Sequence, residues 1–218
     1  MNPMQSFRSM SLRRSAPSLL QASTPEQEFI LDPIVDSDRL HVRDSLDIVT
    51  MMGRDLGIPR WSVRINDATM FLKRSDEHEV ALHALIAEME DPASPFYPDR
   101  FTYNEVAIFF GLPGRDVDKV LSWMRLKKLE SLKVSPARTS ITFSGNLLVL
   151  EAAFCTQFRR YRFEGKEYLA NAHELSVPAA ISPVISGFCN LSRLVTEVQA
   201  HDQTVRFPKS TPSEGRDI

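Results

Sequence analysis

The residues best able to do chemistry are scattered through the 218-residue sequence. His78-Glu79-Val80-Ala81-Leu82-His83 resembles a metallopeptidase helix, in which two histidines and a glutamate meet one zinc ion. That chemistry needs the histidines four apart. Here they are five apart, about 140° around a helix, so one faces away and both are expected as partly solvated helix histidines. Ser144, in Phe143-Ser144-Gly145, suggests a nucleophile, but the Gly-x-Ser-x-Gly elbow that would expose it is missing. It stands where a helix needs an N-cap, and that is its expected role. Cys155 and Cys189 cannot build a four-ligand zinc site alone. They are expected as two free thiols, or as one bridge if the protein is exported. The eight glycines form no phosphate-binding loop. The expected lists of catalytic, cofactor-binding and metal-binding residues are therefore empty, with no cofactor and no small-molecule substrate.

A basic segment stands out. From Arg125 to Lys166 nine Lys or Arg face three Glu, whereas from Asp67 to Asp99 eight acids face Lys73 and Arg74. Arg159-Arg160-Tyr161-Arg162-Phe163 on a sheet could stack and bind RNA, but the sequence signature of the RNA-recognition module is absent. The formal net charge of −2 also gives no global pull toward nucleic acid or anionic membrane. A solvated strand face, or a charged docking face for a protein, is the expected reading. Asn190-Leu191-Ser192 is a glycosylation triplet of a kind common by chance.

The elements that must position these residues become legible at Met70-Phe71-Leu72, a short strand. Ser75 then opens a helix in which Val80, Leu82, Leu85, Ile86 and Met89 form the apolar stripe, stopped by Asp91-Pro92. A proline-rich connector leads to Thr102 and Glu105, spaced as a capping box. Gly111 is expected as the left-handed end of that helix. A further helix from Arg115 buries Val117, Val120, Leu121 and Met124. Strands follow at Leu132–Val134 and Ile141–Phe143, turning at Ser135-Pro136. A helix from Ser144-Gly145 runs through Phe154, and Phe158–Phe163 and Tyr168–Asn171 pair across Glu164-Gly165. This order predicts an α+β protein: a ferredoxin-like antiparallel sheet with helices on one face, extra short helices and flexible termini. Residues 1–29 and 193–218 read as disordered tails, 30–66 as an irregular lead-in packing on the core, and 67–192 as the folded domain. No apolar run approaches a membrane span.

Family resemblance goes further than the residue chemistry. Asp91-Pro92, Ser94-Pro95 and Tyr97, followed by Thr102, Glu105 and Phe110-Gly111-Leu112, are similar to the connector and first helix of sedolisin-type (kumamolisin-like) activation propeptides. Val120 and Trp123 match the next helix. Ile141-x-Phe143-Ser144-Gly145, Glu151 to Phe154, and Tyr161, Gly165, Tyr168, Ala170 and Asn171 resemble the second half, closing with Val177-Pro178-Ala179, Val184 and Gly187. Tyr103, Arg100 and Lys128 depart from the family, Lys128 replacing a helix-ending glycine. The resemblance implies an inhibitor or folding chaperone of a sedolisin-type serine peptidase, acting in trans or as a truncated zymogen, with that peptidase domain as partner and acid as the release signal. The family's catalytic Ser-Gly-Thr-Ser is absent, so the chain is not expected to be an enzyme. The alternative is an orphan structural or regulatory domain. The family is usually exported, yet residues 1–29 contain no apolar stretch of signal-peptide length.

Overall fold

The computed structural model describes residues 28–59, 63–94, 97 and 102–195. The described chain runs β1 (Arg39–His41), α1 (Ile48–Met52), β2 (Arg54–Gly57) and β3 (Arg64–Leu72), then α2 (Asp76–Glu90), α3 (Tyr103–Phe110) and α4 (Gly114–Leu126). β4 (Glu130–Val134), β5 (Ser140–Asn146), α5 (Leu147–Phe154) and the β6 (Phe158–Phe163) and β7 (Lys166–Asn171) hairpin follow. The short strands β8 (Ser176–Pro178), β9 (Ile185–Cys189) and β10 (Arg193–Leu194) complete it. The fold is α+β, and all these strand pairings are antiparallel.

β3 organises the core. Ile65, Ala68, Met70 and Leu72 are buried on one face, although strict alternation would send Ile65 and Ala68 to opposite sides. A bulge at Asn66-Asp67, with Asp67 at φ 57°, supplies the extra residue that turns both inward. β3 is thus longer than the expected Met70–Leu72. It is an inner strand of a four-stranded sheet ordered β4-β5-β3-β9. Val117, Val120, Leu121 and Met124 of α4, with Leu147, Leu150 and Phe154 of α5, share one hydrophobic core with its buried face.

The hairpin β6-β7, expected in the same sheet, forms a second one ordered β10-β7-β6-β2. Both sides of β3 are taken by β5 and β9, so the hairpin finds its partners elsewhere. One partner, β2, comes from the stretch expected to be irregular. That stretch also supplies β1, which pairs with β8, and α1, whose Val49 packs on Tyr161 and Ala170. The other partner is β10, within residues expected as a tail. Of the expected tails, 1–27 and 196–218 lie outside the described residues, as does most of the proline-rich connector, whereas Glu28 and Phe29, expected in the first tail, are fixed by contacts with α4.

Helix ends differ from expectation in instructive ways. Ser144 is a buried strand residue whose Oγ accepts from Asp67 N at 3.4 Å, and Asn146 caps α5 by accepting from Val149 N at 2.9 Å. Gly111 has φ −74°, not a left-handed angle. Its glycine is needed for closeness: a Cβ there would lie 2.5 Å from Ala107 O and 3.0 Å from Ala137 O. The left-handed helix end belongs instead to Lys128, at φ 61°. Its N–H donates to Arg125 O at 2.9 Å and the next, of Leu129, to Met124 O at 3.0 Å, the paired bonds of a Schellman stop. Glu164 and Gly165, at φ 49° and 74°, make the tight hairpin turn as expected.

The segment from Glu28 to Asp36 straps across α4. Asp116, fully buried, accepts from Phe29 N at 2.7 Å and Ile30 N at 3.3 Å. Glu28 pairs with Lys119 at 2.6 Å and Arg115 at 3.1 Å, and Asp36 with Lys127 at 2.5 Å and Arg39 at 2.7 Å. Ile30 is driven wholly into the core.

Candidate docking face

With its inner side covered by helices, the β4-β5-β3-β9 sheet turns its other side outward. Strand register fixes what is presented there. Lys133, Thr142, Thr69 and Cys189 stand in one cross-strand row, and Ser140, Phe71 and Gly187 in the next. This is a shallow surface of small polar side chains around one aromatic ring. Phe71 is 42% exposed although its strand neighbours Met70 and Leu72 are buried. A Cβ at Gly187 would meet nothing within 4 Å, so the surface is open on that side of the ring. A groove of about 500 Å³ begins at Phe71 and runs past Lys73, Arg74 and Asp76 toward the start of α2. At the far edge Arg64 pairs with Glu130 at 2.8 Å, and that hydrogen bond and charge hold the Glu130 carboxyl below its usual range.

Such a surface has the makings of a protein-binding patch: one apolar anchor, small neighbours that permit close approach, and charges at the rim. Among the described residues no three of His, Cys, Asp and Glu gather as they would around a metal ion, and no helix is long and apolar enough to cross a membrane.

The residues singled out in the sequence do not converge. His78 is buried, not partly solvated: it packs edge-on to Phe29 with ring centroids 6.3 Å apart, and its Nδ1 has no partner. α2 is therefore rotated from the expected stripe, burying His78, Ala81 and Leu85 while Val80 is 70% exposed. His83 is solvated, 3.6 Å from Glu79. Cys155 closes α5 in the left-handed region, and Cys189 lies on the open sheet; both are free thiols. The basic segment divides between two surfaces, with Arg159 paired to Asp55 at 2.8 Å on one and Arg160 and Arg162 sharing Glu167 on the other.

Phe71 was legible as a strand residue but not as an anchor. The available signal is that Met70, Phe71 and Leu72 are apolar at both strand parities, so one must face away from the core.

The model of the family described as "Pro-kumamolisin, activation domain" matches residues 64–194, which include both sheets' inner strands and every helix from α2 onward. The chain belongs to the pro-kumamolisin activation-domain family. Over 121 residues, 56% of the chain, it is also 23% identical to xanthomonalisin of Xanthomonas sp. (strain T-22), a sedolisin-type peptidase. The chain spans only 15% of that protein's length. A pro-kumamolisin activation domain is a propeptide unit, distinct from the catalytic domain of such a peptidase. The sedolisin resemblance read from the motifs between residues 67 and 192 is therefore borne out.

Proposed function

We infer that this pro-kumamolisin activation domain binds a sedolisin-type peptidase domain as inhibitor, folding chaperone or both, and does no catalysis of its own. The family match over residues 64–194 carries the reading. The open sheet supports it, because a rigid sheet presenting one exposed ring among Thr, Ser and Gly can dock with little reorganisation. The partner would be a protein surface, with no nucleic acid, membrane or small-molecule substrate involved. Whether it is supplied in trans or by a zymogen, the same sheet would meet it.

The test is inhibition of a purified sedolisin-type peptidase at about pH 6 and about pH 3.5, the lower value protonating interface carboxylates. Inhibition at the higher pH that weakens at the lower is expected. Phe71→Asp, its fold checked by circular dichroism because the ring is more than half covered on an inner strand, should weaken inhibition at least about 30-fold, the loss of an aromatic anchor of about 2 kcal/mol. No inhibition by the parent chain at either pH would leave a structural or regulatory domain as the better account.

A further inference from the structure

The strap does not close against α4 along its whole length. Between them lies a groove of about 830 Å³, whose apolar lining comes from Leu31, Pro33, Ile34, Trp123 and Leu126. Leu31 and Leu126 are 80% and 81% exposed, the most open of the large apolar side chains among the described residues. Single exposed leucines are ordinary on a protein surface, but two on one apolar groove make a patch suited to being covered. The charges around it are unevenly matched. Arg115, Lys119 and Lys127 line the groove, but Glu28 holds the first two and Asp36 the third. Asp32 and Asp118 line it too, are exposed, and form no ion pair among the described residues. The charge left unpaired at the groove is therefore negative.

We propose that this groove is the docking site of a segment of this chain that precedes the strap, Leu12 to Leu20. Residues 1–27, outside the described residues, carry Arg8, Arg13 and Arg14 against Glu26 alone. Within them Leu12-Arg13-Arg14 and Leu19-Leu20 supply what the groove lacks, cations and apolar side chains. The tether is long enough. Glu28, which continues directly from that stretch, itself lines the groove. Leu20 precedes it by eight residues, up to about 26 Å of extended chain, against about 17 Å along α4 from Arg115 to Leu126. A tethered segment acts at an effective concentration of order millimolar, so a contact too weak to hold a free peptide still fills the groove much of the time. A second copy could present the same segment, but without that concentration. Leu19 and Leu20 then cover Leu31 and Leu126, and Arg13 and Arg14 meet Asp32 and Asp118.

The groove lies on the helical side of the β4-β5-β3-β9 sheet, away from Phe71, so this contact forms whether or not the chain inhibits a peptidase. The experiment is photo-cross-linking of the full chain carrying Leu126→p-benzoylphenylalanine, irradiated at low micromolar concentration and mapped by mass spectrometry. An intrachain cross-link to residues 8–20 on a monomeric product is expected. Its yield should fall at least about fivefold in Leu19→Asp/Leu20→Asp, which removes the apolar contact. Arg13→Glu/Arg14→Glu should lower it about twofold. Adding Asp32→Lys/Asp118→Lys to that variant should restore it, a rescue that general damage to the fold would not give. The same photo-label at Lys133, exposed on the open sheet, should not reach residues 8–20. Circular dichroism confirms that each variant folds. No cross-link from position 126 to residues 8–20, or equal capture from both positions, would refute the docking site. Capture of those residues only in a cross-linked dimer would overturn the intrachain assignment in favour of a second copy.

Discussion

Asp116 is where the lead-in strap is most exposed to a single substitution. Its carboxylate is wholly buried, accepts from Phe29 N at 2.7 Å and Ile30 N at 3.3 Å, and lies 3.7 Å from Lys119. Asp116→Ala removes both acceptors, and hydrogen bonds to a charged group contribute about 1.5–3 kcal/mol each. Against that loss of about 3–6 kcal/mol stands the relief of no longer burying a charge, which recovers a few kcal/mol. Lys119 is not orphaned, since Glu28 at 2.6 Å and Ile30 O at 2.5 Å still hold it. The net expectation is a destabilisation of about 2–3 kcal/mol, a fall in Tm of about 6–10 °C for a domain of this size. Asp116→Asn keeps one acceptor oxygen and should lose about half as much. Calorimetry gives the Tm, and hydrogen exchange read by mass spectrometry shows whether the loss is local. Amides of the segment containing Phe29 and Ile30 should exchange faster in both variants, more so in the alanine one. Unchanged exchange there together with a Tm shift below about 1 °C would refute the idea that this carboxylate anchors the strap.

The strap should also respond to acid. Hydrogen bonds from Lys119 first and Arg115 second hold the Glu28 carboxyl below its ordinary range. A depressed folded-state value means stability that is present above the unfolded value and lost as pH falls through the folded one. Loosening is therefore expected from about pH 4.3 downward, and not between pH 5 and 7. Exchange at residues 28–30 that is flat from pH 7 to pH 3, after correction for intrinsic rates, would contradict this. A gain of stability is expected at the α4 stop. Lys128 occupies φ 61° at a cost of about 1–2 kcal/mol, and Lys128→Gly should recover about 0.5–1 kcal/mol after glycine's own entropy. The midpoint of urea unfolding reports it, and a lowered midpoint would show that the lysine side chain contributes more than its backbone costs.

The parts of this fold that the sequence made readable are those whose partners are near in the chain. The β6-β7 hairpin, α4 and the Thr102–Glu105 capping box each carry their signal within a few residues, and each is found in the structure. β1, β2 and β10 are two to four residues long, too short for periodicity, and pair with strands far away in sequence. Nothing local marks them. Lys128 in a left-handed turn and Gly111 outside one show the same limit: glycine is needed at 111 because the backbone oxygens of Ala107 and Ala137 stand too close for a Cβ, which the local rule that glycine ends helices by its angle does not foresee. For the docking face, the strands were visible but their outward side was not. Which face of β3 is covered depends on where α4 and α5 pack.

The position of β9 beside β3 has a consequence for the moment of synthesis. β3 is the first strand of its sheet to leave the ribosome, and Thr69 pairs on one side with Thr142 but on the other with Cys189. Until the last quarter of the described chain has emerged, the nascent sheet has an open backbone edge along β3, with Met70 and Leu72 on a strand still lacking one neighbour. Closing so long a loop is slow compared with forming the local hairpin. A nascent chain whose β3, β4 and β5 have paired before β9 emerges would have one edge able to accept a foreign strand. Co-translational capture of that edge, by chaperone or by another nascent copy, is the hazard this topology carries until β9 seals it.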